Sequence, residues 1–218
     1  MKNIILLFML SIVVAVFLSG CGETSIEPVD GDTLTDEGQE VGDEGKEIKD
    51  EGEKEEEPES ESSEEDTEIG TRSKPLTIGE RISLQYNDFF DGDVHLEMEL
   101  LEVISGDEAW GMVKEGNSFN DEPGENQEYV LAKFYVKVLE VENEPFDLNH
   151  AQFDAVSESG NAYDEFLSVS GLEPNLSNEM YEGAEREGYT YFLIDQDDEN
   201  PLIAFKRRSD GEVWFELK

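Results

Sequence analysis

The chain is 218 residues long and carries 56 aspartates and glutamates against 15 lysines and arginines, a formal net charge of −41. That balance disfavours nucleic acid and anionic lipid surfaces as electrostatic partners, since both call for a concentrated basic surface. A single cysteine excludes an internal disulfide, so any folded part stands on its apolar core alone.

The N-terminus has the layout of a secretory signal. Lys2 supplies the positive end, residues 4–18 form an apolar run, and small residues follow. The run is shorter than the roughly 20 residues that span a bilayer, which argues against a permanent helix. It closes on Leu18-Ser19-Gly20-Cys21, where the only cysteine stands. These four residues resemble the lipobox of bacterial lipoproteins, a family in which the cysteine sulfur takes a diacylglyceryl group and the peptide is cut just before it. The resemblance implies a signal peptide over residues 1–20 and a lipidated N-terminal Cys21. It also implies a location on the extracytoplasmic face of the cell membrane, held there by the lipid.

Residues 21–73 read as a linker. Between Glu23 and Gly70 there are 22 acidic residues, three lysines and no aromatic residue. Such a segment buries too little apolar surface to offset the entropy of ordering, and disorder is expected. Asp-Glu-Gly recurs every seven residues from Asp36, but no pair of apolar positions recurs with it, so the period does not describe a coiled coil. As a flexible coil of about 50 residues the segment would span roughly 35–45 Å and hold a domain well off the headgroups.

Residues 74–218 hold both tryptophans, every tyrosine and ten of the twelve phenylalanines, enough for the core of one domain. Strands dominate. Residues 78–86 supply one or two at the start. Val94, Leu96, Met98 and Leu100 alternate with polar residues, and Val103 continues on the opposite parity, which predicts a bulge near Leu101. Residues 107–115 read as the one short helix, with Trp110 and Val113 on one side and Gly116 just after. Val130, Ala132, Phe134, Val136 and Val138 form the longest alternating run. Further strands are expected over 153–156, 189–194, 202–205 and 213–217, the last two joined through Asp210-Gly211 as a hairpin. About seven antiparallel strands with a single helix predict an all-β fold, an immunoglobulin-like β-sandwich.

Two stretches carry a second resemblance, Tyr129-Val130-Leu131-Ala132-Lys133-Phe134 and residues 181–192, which run from Tyr181 through Gly183 and Gly188 to Phe192. Both are similar to a telokin-like, immunoglobulin-like domain of unknown function common in lipoproteins of Gram-positive bacteria. The match runs from about Leu76 to Leu217. It implies the sandwich fold and a Gram-positive envelope, and it brings no catalytic residues. The 107–126 segment with Trp110 is longer than that family's usual connection.

No residue pattern nominates a catalytic group: G-x-S-x-G, H-E-x-x-H and a phosphate-cradling glycine loop do not occur. No enzyme activity, cofactor or metal is expected. His95 and His150 read as ordinary surface histidines. Residues 195–200 fail as an EF-hand loop, with Asn200 where glycine is required, and read as an acidic turn between strands. Lys206-Arg207-Arg208 reads as a strand end. The candidate binding patch is aromatic: Tyr129 and Tyr135 lie on the face of the long strand opposite Phe134, Trp214 lies opposite Val213 and Phe215, and Trp110 sits in the longer connection. The alternative for this face is cover by the Trp110 segment or burial on both sides. These observations favour a monomeric, non-enzymatic binding module with a protein or glycan partner in the envelope. Two other readings stand beside it, a structural or stress-related envelope protein whose acidic tether buffers cations, and a wall-acting hydrolase without a motif. A pocket with convergent polar groups would favour the hydrolase, a flat aromatic face the binder.

Overall fold

The structure, a computed structural model, describes residues 24–29 and 69–218. The signal peptide, Cys21 and most of the linker lie outside the described residues. The elements in chain order are β1 (Ser25–Pro28), β2 (Arg81–Asp88), β3 (Gly92–Ser105), α1 (Gly106–Gly116), β4 (Gln127–Val141), β5 (Phe146–Leu148), β6 (Phe153–Val156), β7 (Asn178–Met180), β8 (Glu185–Asp195), β9 (Leu202–Phe205) and β10 (Val213–Glu216). One turn of 3₁₀ helix, His150–Gln152, leads into β6.

The strands form an antiparallel five-stranded sheet in the order β1-β2-β3-β4-β8, a three-stranded sheet β10-β9-β6, and the short pair β5-β7. The all-β sandwich expected from the alternating pattern is what forms. Each period-two row points one way: Ile82 and Leu84 from β2, Val94 to Leu100 from β3, and Val130 to Val138 from β4 are buried in one core with Ile203, Phe205, Val213 and Phe215 of the smaller sheet. Phe134 sits at its centre, its ring 5.0 Å from those of both Phe153 and Phe215. The β3–β4 register slips between Leu100 and Glu102, so Leu101 bulges out and Val103 returns to the core, as the change of parity requires.

Two expectations need correction. The described residues form ten strands rather than about seven, because β1, β5 and β7 are only three or four residues long and carry no sustained alternation. The linker is also not uniform. Ser25–Pro28 pairs with β2, Ser25 opposite Gln85 and Pro28 opposite Ile82, so this piece of it is the edge strand of the large sheet. Ile26 and Ile69 rest against the core, and Pro28 is tolerated because an edge strand needs no ladder on its outer side. A strand that covers an otherwise open edge contributes to stability. Ile26→Asp is expected to cost about 1–2 kcal/mol in denaturant unfolding, the scale of a half-buried aliphatic side chain; an unchanged midpoint would show that β1 does not dock.

Candidate binding cleft

The four aromatic residues of the expected patch do not come together. The outer face of β4 is divided. Over its first half, α1 and the 167–172 loop lie across it and build a second small core from Ala109, Val113, Leu131, Val169 and Leu172. Tyr129 is 1 % exposed there, its ring stacked on Trp110 at 5.6 Å and its hydroxyl donating to the Asp121 carbonyl at 2.8 Å. Gly116 and Gly171 let the helix end and the loop meet, since a Cβ on either would collide with the other's carbonyl. Trp214 is also buried, at 6 % exposure, on the outer side of the small sheet with Val156 and Ala204. Its indole N–H donates to Glu212 Oε1 at 2.8 Å.

Tyr135 stands apart, half-buried in a polar ladder. Arg81 lies 4.3 Å over its ring and pairs with Glu99 at 2.7 Å, while the Tyr135 hydroxyl donates to Glu185 at 2.9 Å and Lys133 pairs with Glu187 at 2.9 Å. Burial first, then the bond to Glu185 and its charge, push the Tyr135 hydroxyl up to about 12. The second half of this face is therefore a row of ion pairs rather than an apolar surface. An aromatic patch made of these four residues is ruled out by the burial of Tyr129 and Trp214.

The concave site lies elsewhere. Edge strands β8 of the large sheet and β6 of the small one leave the sandwich open along one side, and the 157–167 segment walls the gap. The result is an open cleft of about 960 Å³. Buried Phe153 and Phe192 and half-buried Tyr163 and Tyr191 line its apolar part, and Phe166, 95 % exposed, stands at the rim. Its polar part is acidic, with Asp154, Glu158, Asp164, Glu165, Asp195 and Asp197 among the lining residues and no lysine or arginine.

Two groups fix its geometry. His150, on the 3₁₀ turn that Asn149 caps, stacks on Tyr191 at 3.9 Å and shares a 2.6 Å hydrogen bond from Nδ1 to the buried hydroxyl of Thr190. Burial lowers its pKa to about 4, with Asp154 pulling weakly the other way, so the ring is neutral at pH 7. The expectation of a surface histidine is thus corrected: the turn folds back and seats His150 on β8. His95 is different, on the polar face of β3 and bonded to Ser83 at 2.7 Å. Across the cleft, the Tyr163 hydroxyl donates to Asp198 Oδ2 at 2.7 Å, and Asp198 Oδ1 accepts the Glu158 N–H at 3.2 Å. Burial and that carboxylate raise the Tyr163 pKa, so it stays a donor. Asp195–Asp198 is the acidic turn between strands expected from its composition. Among the described residues no group of three or more His, Cys, Asp or Glu is arranged to hold a metal ion.

Outside the cleft lining, Lys206 lies between Asp88 (2.7 Å) and Asp91 (3.3 Å) at the β2–β3 turn, and Arg207 pairs with Asp154 (2.9 Å). The basic triplet follows β9 as a strand end, as its sequence position suggests.

No family model and no curated protein matches the chain. Two solved structures are similar to it. One is YcdA, a candidate lipoprotein from Bacillus subtilis subsp. subtilis str. 168, 11 % identical with a TM-score of 0.43 over 56 % of this chain and 36 % of that one. The other is the secreted protein MPT63 of Mycobacterium tuberculosis, 16 % identical with a TM-score of 0.44 over 66 % of this chain and 98 % of that one. The chain spans about a third of the length of YcdA. Among the described residues no helix is long and apolar enough to cross a membrane.

Proposed function

We propose that the chain is a lipid-anchored, extracytoplasmic binding module of the telokin-like kind, acting without catalysis, and that the cleft between β6 and β8 is its ligand site. The anchor is read from Leu18-Ser19-Gly20-Cys21 and the apolar run before it. The observation that carries a ligand site is the cleft itself: a preformed concavity of about 960 Å³ with aromatic walls and convergent polar groups, on the scale of known ligand pockets. Such a pocket is what the hydrolase reading called for; binding is preferred because the histidine that lines it is engaged by the buried Thr190 hydroxyl and the Tyr191 ring, and the Tyr163 hydroxyl by Asp198, rather than paired with a lining nucleophile. Its chemistry selects the ligand. Carboxylates on the rim with tyrosine and phenylalanine rings beneath attract an amine or guanidinium, which gains from charge pairing and from the faces of the rings together. A lysine- or arginine-bearing segment of an envelope protein fits that description.

Calorimetric titration of the protein with a short oligolysine peptide tests this. Binding is expected to weaken steeply with salt and to fall by about tenfold or more in Asp195→Asn/Asp197→Asn, both surface positions whose change leaves the fold intact. Equal binding by the variant would remove the cleft as the site.

A further inference from the structure

The tip of the β2–β3 hairpin presents the two phenylalanines Phe89 and Phe90, 92 % and 79 % exposed, with their rings in edge contact at 5.1 Å. The tip is built rather than loose. Asp88 Oδ1 accepts the N–H groups of Phe90 (2.8 Å) and Asp91 (3.3 Å), and Asn143 ties in the carbonyls of Phe90 and Asp91 at 3.1 and 3.0 Å. At its base the Lys206 ammonium lies between Asp88 and Asp91 and offsets one of their two charges, while Asp93 accepts from the neutral Asn87 amide at 2.8 Å. Two large apolar side chains are thus held outward on a hydrogen-bonded frame, in a chain whose surface is otherwise strongly acidic.

The edge strand says what meets them. β1 runs antiparallel to β2 with Ser25 opposite Gln85, so its N-terminal end points toward the hairpin tip. Thr24, whose hydroxyl donates to the Asp210 carbonyl at 2.5 Å, is the residue next to that end. Phe89 lies four residues beyond Gln85 along its own chain, about 10 Å past the level of Thr24 at roughly 3.4 Å per strand residue. Cys21 is three residues before Thr24, and three residues reach at most about 11 Å. A lead of that length is therefore just long enough for the Cys21 sulfur to meet the level of the phenyl rings at one end of the sandwich.

We propose that Phe89 and Phe90 insert into the lipid interface beside the acyl anchor and seat the domain directly on the bilayer, an inference that rests on the acylation of Cys21. The domain then sits on a lead of three residues rather than at the end of the whole acidic linker. Gln127 and Asp195, which line the cleft, pair at the opposite end of the large sheet, so docking turns the cleft away from the membrane.

The test uses the full lipidated protein carrying Phe89→Trp, reconstituted in phosphatidylcholine vesicles whose acyl chains are brominated near the headgroup. Relative to the wild type, the added emission is expected to be blue-shifted and quenched at least twofold, and adding Phe90→Ser should relieve part of the quenching. Mass spectrometry of the N-terminal peptide from the same sample separates the outcomes. Acylated Cys21 with unquenched emission overturns the docking alone. Emission that is blue-shifted without lipid, in a protein that sediments as a dimer, assigns the tip to a second copy and also overturns it. An N-terminus without lipid overturns the anchor and the docking together.

Discussion

Trp214→Ala is expected to lower the free energy of unfolding by about 3–5 kcal/mol, the range for truncating a buried tryptophan. The indole is 6 % exposed, packs on Val156 and Ala204 with Leu202 and Ala162 beside them, and spends its one donor on Glu212. Arg72 covers its ring at 5.8 Å, which keeps water from the outer side of the three-stranded sheet. Tyr135→Ala is the matched control. Its ring is half-buried, and its partners Arg81 and Glu185 remain able to reach solvent, so a loss of about 1 kcal/mol is expected. Equilibrium unfolding in guanidinium chloride measures both. A Trp214→Ala variant as stable as the wild type would mean that the face carrying Trp214 is open, and would return it to the list of contact surfaces.

The second large effect is a loss of stability in mild acid that belongs to one side chain. The folded-state pKa of His150 is about 4 because burial disfavours the cation, against 6.5 for the free side chain. A depressed pKa means that the unfolded chain binds the proton first. The contribution of His150 is then fully present above about pH 6.5 and is lost as pH falls toward 4, by about 3 kcal/mol in total. Carboxylates titrate near the lower end of the same window, so the informative quantity is the difference from His150→Phe. That variant keeps a ring on Tyr191 but leaves the buried Thr190 hydroxyl unpaired, a cost that does not vary with pH. The wild type should lose its advantage over the variant between pH 6.5 and 4. A His150 ring that titrates near 6.5 by NMR would contradict the seat that the 3₁₀ turn gives it.

What the sequence made legible was periodic and local. The rows Val94 to Leu100 and Val130 to Val138 each commit one face of a strand to the core, and the change of parity at Leu101 has only a bulge as its solution. Residues 107–115 announce a helix through Trp110, Val113 and the glycine that follows, and α1 spans Gly106–Gly116. The faces were harder. Tyr129 and Leu131 are as apolar as the row opposite, and nothing within β4 says that α1 and the distant 167–172 loop will cover them. Trp214 is covered from residues 72 and 156, both remote in sequence, as well as from Ala204 across the β9–β10 hairpin. The β1 strand was illegible because its single aliphatic residue, Ile26, gains a partner only when Gln85 to Ile82 already stand as an edge. The cleft draws His150, Tyr163 and Tyr191 from three separate segments, and the acidic run at 195–199 was the one local trace of it.

The claim on which localisation, docking and the orientation of the cleft all depend is that the mature chain begins at an acylated Cys21. Intact-mass analysis of the protein taken from the membrane fraction tests it most directly. The account predicts a chain starting at Cys21 and heavier by a diacylglyceryl group, with Cys21→Ala unlipidated and either uncleaved or released to the medium. A wild-type protein in that fraction that begins elsewhere, or that carries no lipid on Cys21, would contradict it.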